Sequence, residues 1–379
     1  MIFNSSNTFT PVEPKMIIPI KPWLELANGN AGLGAFQRQL PVANGLILSS
    51  NWERGLGLGE IRGWNGGLAE NIERMDFYHE PILAEEILEA MRPVEGKQIF
   101  DGTLGGGGHS ELLLRNRAHV IGCDQDQEAL DHATRRLDSY GDSFLPVRGN
   151  FRDIDVILAG LGIPQVDGIL LDLGVSSRQL DDPARGFSFR EDGPLDMRMD
   201  VRASFSARDL VNTWGEEELI RIFREYGEER HAARVAREIV KVRAAGEIAT
   251  TLGLADLVAR VVPKTSGKHP ATRVFQAIRI AVNGELEALE AALEKSVQVL
   301  APGGVLAILT FHSLEDRIVK RFMHRRSSPY IDRPEWSEPR RNPDFAFHLP
   351  TRKAIGPDEA ETKRNTRSRS AKLRVAVKA

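Results

Sequence analysis

The stretch DGTLGGGGHS, residues 101–110, decides the fold of this chain. The apolar letters KQIF precede it and ELLLRN follows it, so a strand ends, four glycines pass and a helix begins. Because glycine has no side chain, such a turn lets backbone amides and the helix N-terminus come close to a ligand. Four adjacent glycines also cost stability, so a ligand is a better explanation than a tight turn alone.

The residues around the glycines narrow the choice of ligand. A phosphate-binding loop would need G-x-x-x-x-G-K-[ST], and no lysine follows here. A dinucleotide fold would need G-x-G-x-x-G, but the third glycine would fall on Ser110 or Glu111. Acids stand at the predicted ends of two strands instead, Asp101 and Asp124. Asp124 suits ribose hydroxyls and Asp101 suits a positively charged group, so we predict S-adenosylmethionine (SAM) as the cofactor and no metal.

Two further strand ends face the same predicted crevice. RGNFRD offers Phe151, whose ring could stack on adenine. LLDLGVSSRQL offers Asp172 and then Ser176, Ser177 and Gln179, where a substrate would meet the methyl group. Asp172 is therefore the predicted catalytic residue.

Alternating apolar runs and helical patterns predict the fold class. The runs QIF, HVIGCD, SFLPV and DGILLDLG are separated by helical segments, and GGVLAILTF forms a later strand. This order predicts an α/β protein with a doubly wound, mostly parallel sheet. Residues 186–272 contain helix signals without clear strands, which indicates an inserted helical domain. The predicted division is 1–74, a poorly ordered N-terminal extension; 75–185 and 273–379, the two parts of the α/β domain; and 186–272, the insertion.

Charge and cysteine content indicate the compartment and the partner. The net charge is −3, yet residues 362–379 hold seven lysines or arginines and no acid, which favours a polyanionic partner. The single cysteine, Cys123, excludes an intrachain disulfide and fits the cytoplasm. No run approaches the roughly 18 apolar residues of a membrane helix.

Five blocks carry a resemblance to a known family: DGTLGGGGHS, DGILLDLGVSSRQLDDPARGFSF, DGPLDMRMD, PATRVFQAIRIAVNGEL and FHSLEDRIVKRF. With these blocks the chain resembles the bacterial 16S ribosomal RNA (cytosine-N4)-methyltransferase family, from Phe77 almost to the end. The resemblance implies a methyltransferase-type α/β domain with a helical insertion. It also implies SAM contacts at Gly107, Gly108, His109, Asp124, Phe151, Asp172 and Gln179. Many amino-methyltransferases carry D/N-P-P-Y/F after the fourth strand, but here LGV follows Asp172. Their catalytic details therefore cannot be transferred.

The resemblance also implies a reaction, methylation of the exocyclic N4 amine of a cytidine in the decoding centre. A base inside a duplex is out of reach, so the target must be single-stranded or flipped out. The implied partner is 16S ribosomal RNA or the small ribosomal subunit, with neither DNA nor a membrane. Basic clusters give the expected RNA contacts: Lys264, Lys268, Arg273, Arg325, Arg326, Arg367, Arg369, Lys372 and Arg374.

Three other functions are compatible with the residues alone. A SAM enzyme acting on another RNA, on a protein or on a small metabolite would share the glycine loop and the acids. A dinucleotide oxidoreductase is disfavoured by the absent third glycine. A non-catalytic RNA-binding factor would keep the fold without binding SAM.

Overall fold

The structure is a computed structural model that describes residues 81–264, 267 and 269–379. The predicted N-terminal extension, 1–74, and the predicted RNA contact Lys268 lie outside the described residues. In this part of the chain, no helix is both long and apolar enough to span a membrane.

The first half alternates strands and helices as the sequence predicts. The strands are β1 (Gln98–Asp101), β2 (His119–Asp124), β3 (Phe144–Arg148) and β4 (Val166–Asp172). The helices are α1 (Ala84–Met91), α2 (Gly108–Arg115), α3 (Gln127–Leu137), α4 (Ile154–Gly160) and the short α5 (Ser177–Asp181).

The second half is mainly helical before the chain returns to the sheet. Its helices are α6 (Ala207–Thr213), α7 (Glu216–Glu225), α8 (Ala232–Arg243), α9 (Thr251–Val261), α10 (Thr272–Asn283), α11 (Glu285–Val299), α12 (Ser313–Ser327) and α13 (Glu359–Arg364). Its strands are β5 (Leu300–Thr310), the hairpin β6 (Tyr330–Ile331) and β7 (Arg340–Arg341), β8 (Phe347–His348) and β9 (Lys372–Lys378).

Seven strands form one sheet in the order β3-β2-β1-β4-β5-β9-β8. Pairing is parallel from β3 to β5, whereas β9 runs antiparallel to both β5 and β8. Asp101, Asp124 and Asp172 are the last residues of β1, β2 and β4. Because these strands are parallel, the three carboxylates share one edge of the sheet.

Helices cover both faces of the sheet, which confirms the predicted doubly wound α/β class. Leu170 of β4 packs in a cluster with residues of α1, α2 and α3. Its neighbours Ile169 and Leu171 pack in a second cluster with α4, α11 and α12. Successive residues of a strand point to opposite faces of the sheet. Because both faces are covered here, apolar residues occupy successive positions of the strand, which explains the continuous apolar run in the sequence.

A third hydrophobic cluster unites helices α6 to α10. The bundle begins with the capping box that SARD predicts: Ser206 caps α6 and Asp209 bonds back to it. Val274 and Ile278 of α10 are fully buried in the same cluster. We propose that these helices form the inserted domain, and that its core continues beyond residue 272 through α10.

Candidate functional site

A cavity of about 450 Å³ opens at the carboxyl edge of the parallel strands. This volume is within the range of small-molecule sites, roughly 300–1,000 Å³. Its wall combines the glycine loop, the ends of β2 and β4, the segment leading into α5, the junction of α10 and α11, and part of the C-terminal segment. Such an edge is where open α/β sheets bind ligands.

Two positions of the loop require glycine, one because of its backbone conformation and the other because of close packing. Gly107 precedes α2 with φ 78°, in the left-handed region that other residues rarely adopt. At Gly102 an added Cβ would lie 2.6 Å from Leu171 Cδ2 and 2.8 Å from Phe151 Cβ. The first glycine of the loop is therefore needed for packing, and the later ones give the cavity its bare wall. Gly108 lines that wall, whereas Gly107 lies behind it.

Asp101 lies beneath the glycine loop rather than in the cavity wall. Its carboxylate accepts hydrogen bonds from the Ser110 hydroxyl at 2.7 Å and from the Thr103 amide at 3.2 Å. Burial raises the pKa of this carboxyl, and the Ser110 hydrogen bond opposes that effect. This position does not fit the predicted role of balancing a charge on the ligand. We propose that Asp101 instead ties the two ends of the loop together.

Asp124 lines the cavity, as the sequence predicts, and each of its oxygens accepts one backbone hydrogen bond. Oδ2 accepts from the Gly105 amide and Oδ1 from the Asp126 amide, both at 2.9 Å. Each oxygen keeps a further lone pair for a hydroxyl group. Burial raises the pKa of Asp124 to about 6, and the two backbone hydrogen bonds oppose the rise. Phe151 lines the same part of the cavity.

Gln179 is buried and uses its polar atoms on protein partners. Its Oε1 accepts from the Ser176 amide at 3.0 Å, and its Nε2 donates to Asp126 at 2.8 Å. Asp126 also caps α3 and pairs with the buried Arg185 at 2.7 Å. Through its bond to Asp126, Gln179 therefore ties α5 to the segment that follows β2, beside the cavity. Sequence reasoning missed Asp126 and Arg185, although the position of Asp126 before a helix is a capping signal.

Asp172 and His109 meet at the centre of the site. His109 Nε2 lies 3.4 Å from Asp172 Oδ2, and both residues line the cavity. The Asp172 amide donates to the Thr103 hydroxyl at 2.6 Å, which joins the end of β4 to the glycine loop. Asp172 Oδ1 and both ring nitrogens of His109 are buried without a hydrogen-bond partner among the described residues. Such groups in a cleft indicate where a ligand bonds.

Charged side chains form another part of the wall, and the sequence did not indicate three of them, Arg279, Glu285 and Glu315, as part of the site. Arg279 makes two hydrogen bonds to Glu285, at 2.8 and 2.7 Å. Glu315 is buried and pairs with His312 at 3.0 Å. Burial alone would raise the pKa of Glu315, but His312 holds it below its usual value. Glu285, His312 and Glu315 bring donor atoms within 4.8 Å of one another, and in this structure Glu285 is paired with Arg279 and His312 with Glu315.

The C-terminal segment closes one side of the cavity. Asn365, Arg367 and Ser370 line it, and Arg367 donates to Asp181 of α5 at 2.5 Å. Just before this segment, Glu361 accepts a hydrogen bond from the Leu83 amide at 2.8 Å. A segment near the end of the chain thus reaches the cavity at its β4 and β5 side.

The structure divides the predicted RNA contacts into exposed residues and residues held in ion pairs. Lys264, Arg273 and Arg369 are exposed, and Arg273 also donates to the Glu228 carbonyl at 3.2 Å. Four others are held in ion pairs: Arg325 and Arg326 with Glu294, and Lys372 and Arg374 with Asp316. Their charges are partly cancelled, so we regard them as weaker candidates than the exposed three.

The doubly wound sheet, the glycine loop without a phosphate lysine and the two strand-end carboxylates facing one cleft fit a nucleoside-binding α/β protein. The chain belongs to the MraW methylase family, whose model matches residues 76–379. SAM is the methyl donor of this family, which confirms the predicted cofactor.

Individual relatives agree with the family match. A protein named ribosomal RNA small subunit methyltransferase H from Carboxydothermus hydrogenoformans is 50% identical over 307 residues, which cover 80% of this chain and 99% of the relative. One of the same name from Syntrophotalea carbinolica is 51% identical over 309 residues, covering 80% and 98%. An rRNA methylase structure from Streptococcus thermophilus has 11% identity, covers 76% of this chain and 91% of that one, and gives a TM-score of 0.34. That last likeness is too weak to add to the argument.

Proposed function

We propose that this enzyme methylates the exocyclic N4 amine of a cytidine in the decoding centre of 16S ribosomal RNA. The observation that carries the proposal is the Asp172 carboxylate, which stands in the cleft beside the glycine loop with Oδ1 unpartnered in the described part of the chain. The relatives are named as methyltransferases of small-subunit ribosomal RNA, which supports the substrate class. The sequence blocks quoted above support the cytosine N4 position.

The residues present fit SAM. Asp124 offers lone pairs for ribose hydroxyls, and Phe151 offers a ring on the same side. The glycine loop presents backbone without side chains, and its helix carries no lysine for a phosphate. We therefore propose Asp124, Phe151, Gly108 and His109 as the cofactor-holding residues, with Gly107 and Gln179 shaping the wall. When bound, SAM supplies a methyl group on a positively charged sulfur, which makes that methyl electrophilic.

Asp172 has the main role in activating the target. The lone pair of an exocyclic cytosine amine is delocalised into the ring, so the nitrogen is a poor nucleophile. A carboxylate that accepts the amine hydrogens favours a pyramidal nitrogen and can take up the proton that is released. His109 lies beside the carboxylate and, we propose, restricts its rotation. Positioning of this kind accounts for a large share of the barrier reduction in many enzymes.

The charged part of the cavity wall suits a polar base. Arg279 and Glu285 form a largely buried ion pair at the junction of α10 and α11. Asn283 lies beside them and connects the cleft to the helical bundle, with bonds of 2.8 Å to both Met197 and Met199. We propose that this wall accommodates the flipped cytosine and that the bundle excludes water around it.

A stripe of basic side chains on α12 is a further candidate surface for RNA contacts outside the cleft. Lys320, Arg321 and His324 are exposed on one side of α12, the helix that begins two residues before Glu315. Residues 320 and 324 are one helical turn apart, about 6 Å. We propose that this stripe contacts the RNA backbone together with Lys264, Arg273 and Arg369, because exposed cations are attracted to phosphates.

The proposed partner is the small ribosomal subunit or its 16S RNA, and the proposed location is the bacterial cytoplasm, where that subunit is assembled. The test is methyl transfer from labelled SAM to small subunits purified from a strain that lacks the gene. Label recovered in N4-methylated cytidine would support the proposal. Label recovered in ribosomal protein, or in another base, would contradict it.

A further inference from the structure

Two arginines line the cavity in the part of the chain that the structure describes, Arg279 and Arg367. SAM carries one anionic group, the carboxylate of its methionyl end. A carboxylate that leaves water for a partly closed cleft needs a charged or strongly polar donor. The two arginines differ in how fully their own protein partners satisfy them.

Arg279 is already neutralised. Its Nε and Nη2 donate to the two oxygens of Glu285, and both side chains are largely buried. Glu315 adds a second negative charge nearby and contributes to the raised pKa of Arg279. An additional anion beside this group would face two carboxylates, so Arg279 is a poor site for the cofactor carboxylate.

Arg367 is only partly satisfied. Its Nη2 donates to Asp181, whose side chain is 53% exposed and therefore well screened by water. Its Nη1 is buried and has no hydrogen-bond partner among the described residues. The backbone around it is fixed, because the Arg367 amide donates to Asn365 at 3.1 Å in a short 3-10 turn. A buried donor without an acceptor is unfavourable unless a ligand supplies one.

The topology places Arg367 at the correct end of the cleft. Asp124 follows β2 and Phe151 follows β3, so the nucleoside part belongs on the β2 and β3 side. Arg367 is bound to α5, which follows β4, and it precedes β9, the partner of β5. The glycine loop after β1 lies between these two sides. Because the nucleoside and the methionyl carboxylate are the two ends of SAM, the carboxylate falls on the Arg367 side.

We propose that Arg367 Nη1 binds the carboxylate of the methionyl group of SAM, and of the product S-adenosylhomocysteine. Arg367 then serves the cofactor, whereas its sequence context suggested a contact with RNA. The inference rests on the proposed function only in taking this cavity as the cofactor site. It does not depend on which nucleotide is methylated.

The experiment compares binding of SAM, S-adenosylhomocysteine and decarboxylated SAM by calorimetry, without RNA. Charge-assisted hydrogen bonds lead us to expect that Arg367→Ala weakens SAM and S-adenosylhomocysteine by about tenfold or more. Its affinity for decarboxylated SAM should equal that of the wild type, because that ligand has no carboxylate to lose. Lys363→Ala, an exposed cation four residues earlier that lies outside both proposed sites, is the control and should bind all three ligands normally.

Arg367→Lys keeps the charge and most of the packing, so it should recover part of the SAM affinity and guards against misfolding of the alanine variant. An equal loss for SAM and for decarboxylated SAM would overturn the proposal, as would no loss for either. Unchanged cofactor affinity with weakened RNA binding would assign Arg367 to a phosphate instead, which also overturns it. Failure of the wild type to methylate RNA would contradict the proposed function and leave this comparison intact.

Discussion

His109 Nε2 lies 3.4 Å from Asp172 Oδ2, which joins the helix after the glycine loop to the end of the fourth strand. The two residues are 63 positions apart in the sequence, and parallel pairing of β1 with β4 brings them together. This contact places a side chain of the cofactor loop directly against the proposed amine acceptor. We therefore propose that cofactor binding and target activation share one small region of the cleft.

Asp172→Asn should slow methyl transfer strongly. The amide keeps the size of the side chain but turns one acceptor into a donor, so stabilisation of the transition state suffers more than binding. We expect turnover at saturating SAM to fall by roughly 10²-fold or more, the effect of losing one well-placed electrostatic group. Single-turnover methylation measures this. Asp167→Asn, at the opposite end of β4, is the matched control and should react at the wild-type rate. A normal rate for Asp172→Asn would reduce Asp172 to a cofactor ligand.

Asp124→Ala should weaken SAM by at least about tenfold, because the ribose hydroxyls lose a charged acceptor. The pKa of Asp124 is raised to about 6, so the carboxylate becomes protonated as the pH falls through that value. We expect SAM affinity of the wild type to decline below about pH 6 and to be nearly constant above pH 7. Calorimetry at several pH values checks this. The same decline in Asp124→Asn would show that another group causes it.

The same pKa predicts the opposite trend for the stability of the free protein. The folded-state value, about 6, is above the ordinary 3.8, so the folded protein binds the proton more tightly than the unfolded chain does. The resulting contribution to stability is fully present below about pH 4 and is lost as the pH rises through 6. Denaturant unfolding of wild type and Asp124→Asn, compared between pH 4 and 7, isolates it. A wild-type-minus-variant difference that is constant over this range would contradict the assignment.

Arg185→Met should destabilise the fold, because it leaves the Asp126 carboxylate buried with one fewer partner. The two side chains are 9% and 4% exposed and lie 2.7 Å apart. Breaking a buried pair from one side costs roughly 3–5 kcal/mol of unfolding free energy. Arg202→Met breaks a more exposed ion pair, with Asp200. This substitution should change the unfolding free energy by less than about 1 kcal/mol. Equal effects in urea unfolding would mean that the Arg185 pair is structurally unimportant.

Replacing Lys320 and Arg321 with alanine should reduce the dependence of RNA binding on salt. Each lost phosphate contact lowers the slope of log affinity against log salt by about one, so the pair should lower it by about two. Arg325→Ala is a useful control, because its guanidinium is already paired with Glu294. Filter binding at several salt concentrations measures the slopes. Identical slopes in wild type and double variant would show that the α12 stripe is only a solvated surface.

Much of the fold and the centre of the site were predictable because both follow from local patterns. Asp124 and Asp172 could be placed together, since the last residues of parallel strands share one edge. The role of Asp101 was not predictable, because only the folded loop shows its carboxylate turned towards Ser110.

The features that the sequence did not predict are ion pairs between residues that are distant in the sequence. Residues 362–379 contain no acid, yet Asp316 of α12 partly neutralises Lys372 and Arg374 once β9 has paired with β5. Arg185 is likewise matched to Asp126 from 59 residues away. Composition and spacing describe neighbours along the chain, whereas ion pairs of this kind are decided by tertiary packing.

We propose that this methylase modifies the N4 amine of a cytidine in the decoding centre of 16S ribosomal RNA. To test this, the purified enzyme and labelled SAM are incubated with small subunits from a strain lacking the gene, and the nucleosides are identified by mass spectrometry. We expect one new N4-methylated cytidine, located in a decoding-centre fragment, and its near absence with Asp172→Asn. Methyl label on another nucleoside, on a ribosomal protein, or at full level with the variant would contradict it.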